Sequence, residues 1–285
     1  MVAIALGTGD IGGAGSALSD PWGRTPGSSQ TVALSAASQS VFAVKGDWGA
    51  GTNAQASVSR RMCRVRLTHP FTAVVTTGDN FYNPDGVATE KNYGEPERCL
   101  TARPGHQWIP AWGNHDLAGK STATVLRARG RWYRWALDDA EILVLDSNRW
   151  SDSTQRGWLA RTLKQYNVPL TVVVFHHPPY SVGTVHGSHR GIRDSWVPLF
   201  QKHGVDLVLS GHNHLYERSQ VRGIDYVVTG GGGAALYGCG DPASWTKRCI
   251  SAHHFLLVEV TDGTLRIRAL SSSGSVLDRF VVRPE

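Results

Sequence analysis

The sequence predicts an α/β protein in which buried strands form sheets and helices cover their faces. Three observations favour this class. Short apolar runs of strand length recur from residue 41 onward, separated by polar or glycine-rich breaks. Segments of helix length lie between several of these runs. After residue 252 the chain contains only strand-like runs and turns.

Residues 1–40 are predicted to be a tail or linker, and residues 41–285 are predicted to form one functional domain. Gly, Ser, Ala and Thr dominate residues 7–40, and such a composition buries too little apolar surface to order itself. The apolar stretch at residues 1–6 has no preceding Lys or Arg, so it is not expected to be a complete signal peptide.

The apolar runs then predict the elements in chain order. Strands are expected at 41–44, 71–77, 107–112, 141–146, 170–175, 205–210 and 224–229. Helices are expected at 53–68, 153–166 and 191–203. The runs 254–260, 264–270 and 276–282, with a turn at Asp262-Gly263, predict an antiparallel meander.

Length and composition narrow the classes of function. The chain can bury one large core, and no apolar run approaches the roughly 18 residues of a membrane helix, so no membrane partner is expected. The 29 Lys and Arg residues exceed the 23 Asp and Glu residues, which gives a formal charge of +6 and favours anionic ligands. The basic residues are scattered and are not interleaved with aromatic ones, so no nucleic-acid partner is expected.

The four cysteines, Cys63, Cys99, Cys239 and Cys249, lack the CxxC spacing of zinc ribbons and redox motifs. Disulfide bonds are the simplest use of an even number, and they indicate secretion or another oxidising, extracytoplasmic compartment. Buried free thiols in a cytosolic protein remain an alternative. Three pairings are possible, and the preferred one joins Cys239 to Cys249, which bracket a short polar segment, and Cys63 to Cys99.

Polar side chains of the types that bind metals follow five of the predicted strands. The segments are GDWG at 46–49, GDNFY at 78–82, GNHD at 113–116, HHPPY at 176–180 and GHNH at 211–214. Functional groups gather at the carboxyl ends of strands in open α/β sheets, so these loops are expected to converge. A lone Asn or His is usually structural, but five such segments in order predict a site for two metal ions.

This set of motifs resembles the metallophosphoesterase (calcineurin-like) superfamily and, within it, the purple acid phosphatases. Their pattern is DxG, GDxxY, GNH followed by an acid, VxxH and GHxH, and it is intact here between about Val41 and Glu217. Most of the superfamily has DxH in the first motif, whereas this chain has Gly49. Tyr82 stands where the purple enzymes place a replacement ligand, and an ordinary core tyrosine is the alternative.

The resemblance implies a four-layer αββα sandwich of two mixed β-sheets, with the metal site at the carboxyl ends of the strands. It also implies two ligand sets bridged by Asp79. Site one would comprise Asp47, Asp79, Tyr82 and His214, and site two would comprise Asp79, Asn114, His176 and His212. Carboxylate and phenolate donors suit Fe(III) in site one, and an amide with two imidazoles suits divalent Fe, Zn or Mn in site two.

The resemblance also implies histidines beside the phosphate, at His115 and His186, with His189 as a weaker substitute for His186. Asp116 would orient His115 or raise its pKa, although helix capping is a competing role for this residue.

Two adjacent histidines could each be the ligand of the fourth motif. In the family the ligand precedes proline by two positions, which selects His176, ahead of Pro178. Alternation along the strand would turn His177 away from the site, as a structural residue.

The resemblance implies an acid phosphatase that cleaves small phosphate monoesters by attack of a metal-bound hydroxide, with histidines stabilising charge and protonating the leaving group. A phosphodiesterase on the same metal core is one alternative, because loops decide which substrates fit. A non-catalytic anion-binding protein with a relic metal site is another.

Overall fold

The computed structural model describes residues 40–137, 139–165 and 168–284. The strands in these ranges are β1 (Ser40–Lys45), β2 (Ala73–Thr76), β3 (Gln107–Pro110), β4 (Tyr133–Ala136), β5 (Ala140–Val144), β6 (Leu170–Val174), β7 (Leu207–Ser210), β8 (Tyr216–Val221), β9 (Ile224–Thr229), β10 (Thr246–Ile250), β11 (His254–Thr261), β12 (Thr264–Ser271) and β13 (Val276–Val282). The predicted tail of residues 1–40 lies outside the described residues, except for Ser40.

The helices of the described ranges are α1 (Asn53–Val65), α2 (Glu95–Thr101), α3 (Ser121–Thr124), α4 (Ser153–Gln165), α5 (Arg190–Ser195) and α6 (Val197–Lys202). A π-helical turn, Glu90–Gly94, leads into α2, and 3₁₀ turns lie at His115–Leu117 and Ser147–Arg149.

The strands form two mixed sheets. In the six-stranded sheet, with the order β13-β12-β11-β1-β2-β3, the parallel strands β1 to β3 continue into the antiparallel meander β11 to β13. In the seven-stranded sheet, with the order β10-β8-β9-β7-β6-β5-β4, the central strands β9, β7, β6 and β5 are parallel. The meander predicted for the end of the chain is confirmed.

Alternate residues of the central strands enter different apolar layers. In β1, Phe42 and Val44 pack between the two sheets, whereas Ala43 lies in the cluster with residues of α1 and α2. In β6, Val172 lies between the sheets, and Val173 packs with residues of α4, α5 and α6. Because side chains of a strand alternate between its faces, each buried run contributes residues both to the layer between the sheets and to the layer between a sheet and its helices. The four-layer αββα architecture is thereby confirmed.

Two local features differ from the sequence-based expectation. The strands β4, β8 and β10 are not predicted, because none of them is a continuous apolar run. The helix expected over 191–203 is divided into α5 and α6 at Trp196. Pro198 explains the break, since it has no amide hydrogen and its ring clashes with the preceding helical turn.

Both disulfide bonds follow the preferred pairing. Cys63–Cys99 joins α1 to α2, and Cys239–Cys249 joins the segment after β9 to β10. None of the helices in the described part of the chain has the length and apolar character of a membrane span.

Candidate metal centre

The motif loops meet at the carboxyl ends of the parallel strands. Asp47 follows β1, Asp79 follows β2 and His176 follows β6, and all three are buried. One potential ligand atom from each lies within 4.8 Å of the other two. These side chains come from both sheets, so the site lies where the two sheet edges approach each other.

The first ligand set forms a compact group around Asp47. The Tyr82 hydroxyl donates to Asp47 Oδ1 at 3.1 Å and lies 2.9 Å from His214 Nε2. His214 Nε2 lies 3.4 Å from the same carboxylate oxygen. Carboxylate, phenol and imidazole therefore point at one another, and the structure brings together the residues that the sequence assigns to site one.

The second set converges on a single nitrogen. His176 Nε2 lies 3.2 Å from Asp79 Oδ2, 3.1 Å from Asn114 Oδ1 and 3.2 Å from His212 Nδ1. These are the four residues that the sequence assigns to site two, each presenting a nitrogen or oxygen atom. Asp79 is also near Asp47, so it lies between the two sets, as a bridging ligand must.

Three residues of the site have backbone conformations that are energetically unfavourable for residues other than glycine. Asp47, Asp79 and His212 have φ values of 57°, 49° and 67°, in the left-handed region that non-glycine residues rarely occupy. Such strain persists where surrounding structure enforces it, commonly at functional sites. Close approach adds a further constraint, because a Cβ atom at Gly113 would overlap the Asp79 carboxylate.

Backbone carbonyls orient two of the histidines. Nδ1 of His176 lies 2.9 Å from the Thr77 carbonyl oxygen, and Nδ1 of His214 lies 2.6 Å from that of Ala235. Each Nδ1–H can donate to its carbonyl, which leaves the Nε2 lone pair directed at the carboxylates when the ring is neutral. Metal-binding histidines are commonly oriented in this way.

A proton on His176 offsets the negative charge of the Asp79 carboxylate, and a cation could replace that proton. Burial alone would lower the pKa of His176, but the Asp79 carboxylate outweighs it and raises that pKa to about 9. Burial opposes ionisation of Asp79, yet His176 holds the pKa of this carboxyl below its usual range. Burial, with the charges of Asp47 and Asp79, raises the pKa of the Tyr82 phenol.

These observations fit a site for cations. Two buried carboxylates close to each other need positive charge to offset their desolvation. The donors around them are oxygen and imidazole nitrogen, which hard and borderline metal ions prefer. A metal ion would take the place of the proton shared by His176 and Asp79, and it would favour ionisation of Tyr82.

The two predicted phosphate-side histidines lie against the ligand sets. The ring of His115 is 4.4 Å from that of Tyr82, and the ring of His186 stacks 3.9 Å from that of His212. Both histidines are exposed. Each ligand set thus has one solvent-facing imidazole beside it.

The structure places the Asp116 side chain between two of the motif loops. Its buried carboxylate accepts hydrogen bonds from Gly113 N at 2.8 Å, from Asn80 N at 2.9 Å and from Asn80 Nδ2 at 2.9 Å. These bonds tie the GNHD loop to the GDNFY loop, and both carboxylate oxygens are committed to them. Asp116 thereby holds together the loops that carry the predicted ligands, and its expected influence on His115 stays a prediction.

His177 also differs from expectation, because its ring lies 4.4 Å from that of His212. The strand β6 ends at Val174, before either histidine, so its alternation does not extend to residue 177. Ser147 Oγ lies 2.9 Å from Nδ1 of His177.

His189, the weaker substitute for His186, accepts a hydrogen bond from Ile192 N as the N-cap of α5.

The packing around Gly49 explains why the first motif has glycine where most of the superfamily has histidine. A Cβ atom at this position would overlap the backbone carbonyl of Asn80. A histidine could not be accommodated there unless the GDNFY loop moved. The Tyr82 hydroxyl supplies an oxygen beside Asp47 instead.

Two features near the site escaped sequence reasoning. Tyr237 stacks on His214 with ring centroids 4.0 Å apart, but nothing in its surroundings marks it as a motif. A fully buried ion pair, Lys45 Nζ to Glu97 Oε2 at 2.6 Å, supports the strand that leads to Asp47. Lys45 Nζ also lies 4.1 Å from the ring centre of Trp48. The sequence contains one indication of this ion pair, namely a lysine at the end of a buried strand, directly before GDWG.

Comparison with known proteins identifies one matching family model, described as calcineurin-like phosphoesterase, over residues 41–216. Purple acid phosphatase 17 of Arabidopsis thaliana is 26% identical over 84% of this chain and 83% of that protein. Tartrate-resistant acid phosphatase type 5 of Oryctolagus cuniculus is 24% identical, over 83% of this chain and 88% of that protein.

Two of the solved structures that share the fold match most of this chain. GAP50, described as the anchor in the inner membrane complex of Plasmodium, superposes with a TM-score of 0.74 at 20% identity, covering 87% of this chain and 89% of that one. The purple acid phosphatase PPD1 from yellow lupin seeds has a TM-score of 0.73 at 18% identity, covering 86% and 53%. At these identities the similarity concerns the fold alone.

Proposed function

The chain belongs to the calcineurin-like phosphoesterase family, and on that premise we propose that it is a dinuclear acid phosphatase of the purple type, acting on phosphate monoesters. The observation that supports the proposal is that the two groups of predicted ligands lie side by side, with Asp79 close to both Asp47 and His176. A relic site would be expected to have lost ligands. The described residues retain every side chain of the family pattern, which favours hydrolysis over passive binding of anions.

Site one would hold Fe(III) through Asp47, Asp79, Tyr82 and His214, and site two would hold divalent Fe, Zn or Mn through Asp79, Asn114, His176 and His212. When bound, two such ions neutralise the phosphate and lower the pKa of bound water. We propose these ions because hard, negatively charged oxygen donors favour Fe(III), whereas an amide and two imidazoles favour a divalent ion.

The chain's own groups would then act on the phosphate. His115 beside Tyr82, and His186 beside His212, would donate hydrogen bonds to the phosphoryl oxygens. A ring nitrogen of His115 would give its proton to the oxygen of the departing alcohol. The buried Asp116 would keep the loops bearing Asp79 and Asn114 in register while this occurs.

We expect the metal-loaded protein to hydrolyse a nitrophenyl phosphate monoester at acid to neutral pH, and faster than the corresponding diester. Turnover of the two substrates, measured side by side with metal content, tests the choice. A preference for the diester would favour the phosphodiesterase alternative. No hydrolysis by protein that contains both ions would instead favour the anion-binding alternative.

Tyr82→Phe should remove the visible colour of the oxidised, iron-loaded protein. A phenolate bound to Fe(III) donates electrons to the metal and absorbs visible light, and the substitution deletes only the donor oxygen. Activity should survive in part, because Asp47, Asp79 and His214 remain. Visible spectra of both proteins at equal iron content are the measurement.

Tyr93→Phe serves as the matched control for that spectrum, since this half-buried tyrosine packs on Trp108. It should keep the band. An iron-loaded wild type without a visible band, or a band that persists in Tyr82→Phe, would make Tyr82 an ordinary core tyrosine.

We also propose a secreted or extracytoplasmic location. Its support is the pair of disulfide bonds, Cys63–Cys99 and Cys239–Cys249, because such bonds persist in oxidising compartments. Recovery of four free thiols from the native protein without reductant would contradict this proposal.

A further inference from the structure

Tyr237 covers one of the predicted metal ligands, although it is not itself a ligand. Its ring lies nearly parallel to that of His214, at 14° and a centroid distance of 4.0 Å. The tyrosine is only partly buried. Part of the Tyr237 ring is therefore open to solvent beside His214.

The segment that carries Tyr237 is held in place from several sides. Tyr237 N donates to the His214 carbonyl at 3.0 Å, which couples it to the ligand loop. Gly240 N donates to Val182 O at 2.7 Å, and Thr184 N donates to Gly238 O at 3.0 Å. The Cys239–Cys249 disulfide then closes the segment onto β10. These bonds give Tyr237 a defined position relative to the loop of His186.

Tyr237 and His186 together form an aromatic wall above the ligands. Their rings lie 5.5 Å apart at 66°, and each stacks on a different predicted ligand. His186 stacks on His212 of the second set, and Tyr237 stacks on His214 of the first set. The wall thus borders the places assigned to both ions, where a bound phosphate would lie.

The loops around the wall also expose apolar side chains. Five large apolar residues are exposed in the described ranges, and two of them, Leu117 and Val185, lie within two residues of His115 and His186. Leu117 is 47% exposed and Val185 is 55% exposed. Exposed apolar side chains in the loops of a polar site are compatible with contact to an apolar part of a ligand.

We infer that Tyr237 is a specificity-determining residue that contacts the leaving group of the substrate and favours aromatic phosphate esters over alkyl ones. This inference rests on the proposed function, because it concerns the substrate of the same site. Aromatic rings prefer offset or edge-to-face contact with one another, and such contacts favour a bound aryl group beyond the area that it buries.

The test measures affinity, so that it does not depend on turnover. Phenylphosphonate and methylphosphonate share the phosphonate group and differ in the ring, and calorimetry gives the affinity of each for metal-loaded protein. Tyr237→Ala should weaken phenylphosphonate by roughly 3- to 10-fold, the usual worth of an aromatic pair. Methylphosphonate should change by less than about 2-fold, and Tyr237→Phe should bind both compounds as the wild type does.

A matched pair of disulfide variants tests the role of the segment. Removing Cys239–Cys249 with two alanines should reduce the preference for phenylphosphonate, because Tyr237 loses its anchor. Removing Cys63–Cys99 in the same way should leave the preference unchanged, since that bond joins α1 to α2.

Equal weakening of both phosphonates in Tyr237→Ala, no change in either, or no binding by the wild type would overturn the inference. Equal losses in Tyr237→Phe and Tyr237→Ala would also overturn it, because the hydroxyl and not the ring would then be the contact. A wild type that distinguishes the phosphonates but does not hydrolyse nitrophenyl phosphate would refute the proposed function and leave only the contact between Tyr237 and a bound aryl group.

Discussion

Asp79→Ala is expected to yield a folded protein that binds neither metal ion and has no phosphatase activity above background. Asp79 is the one predicted ligand that belongs to both sets, with one carboxylate oxygen 3.2 Å from His176 Nε2 and a ligand atom within 4.8 Å of Asp47. Its removal deletes a donor from each site and leaves the remaining ligands short of negative charge. Metal content by elemental analysis and hydrolysis of nitrophenyl phosphate are the measurements.

Asp194→Ala is the matched control for this change. Asp194 is an exposed carboxylate whose ion pair with Arg190 spans one helical turn, and such pairs contribute little to stability. The control should keep both ions and full activity. Two ions per chain in Asp79→Ala would contradict the bridging assignment.

His115→Ala is expected to retain both metal ions and to lower kcat by roughly 10²- to 10⁴-fold, the usual contribution of a general acid. The ring of His115 contacts Tyr82 at 4.4 Å but belongs to neither ligand set. Its loss removes a proton donor for the leaving group and leaves the ions in place. Steady-state kinetics at matched metal content measures the effect.

Comparing substrates with different leaving groups tests whether His115 acts as the general acid. A substrate whose leaving group is already a good one needs no proton, so His115→Ala should affect nitrophenyl phosphate less than an alkyl phosphate. His69→Ala is the control, since this histidine precedes β2, at the opposite end of that strand from Asp79. Loss of metal in His115→Ala would mean that the residue is a ligand.

Local patterns in the chain were sufficient to predict most of the fold. Apolar runs such as 41–44 and 170–175 are nearly continuous, and they correspond to β1 and β6 within a residue or two. Apolar runs do not predict β8 and β10, because the sequences of these strands are largely polar. The division of the helix over 191–203 was missed too, although Pro198 gave the signal.

The sequence by itself was sufficient to predict which side chains gather at the candidate site. Every predicted ligand lies in a short motif after a strand, and parallel pairing brings the carboxyl ends of the strands of one sheet to the same edge. The predicted groups of site one and site two are accordingly found together. The resemblance carried by the motifs added the grouping into two sets, which spacing alone does not contain.

Only the tertiary structure decided which way the neighbouring side chains face and what they touch. Asp116 turns to Asn80 and Gly113 and not to His115, and the ring of His177 lies against His212. Tyr237 reaches His214 from a segment without any motif. These contacts depend on loop conformations beyond the strand ends, where alternation no longer applies. Residues far apart in the chain, such as Tyr82 and His214, meet there because packing of the two sheets brings their edges together.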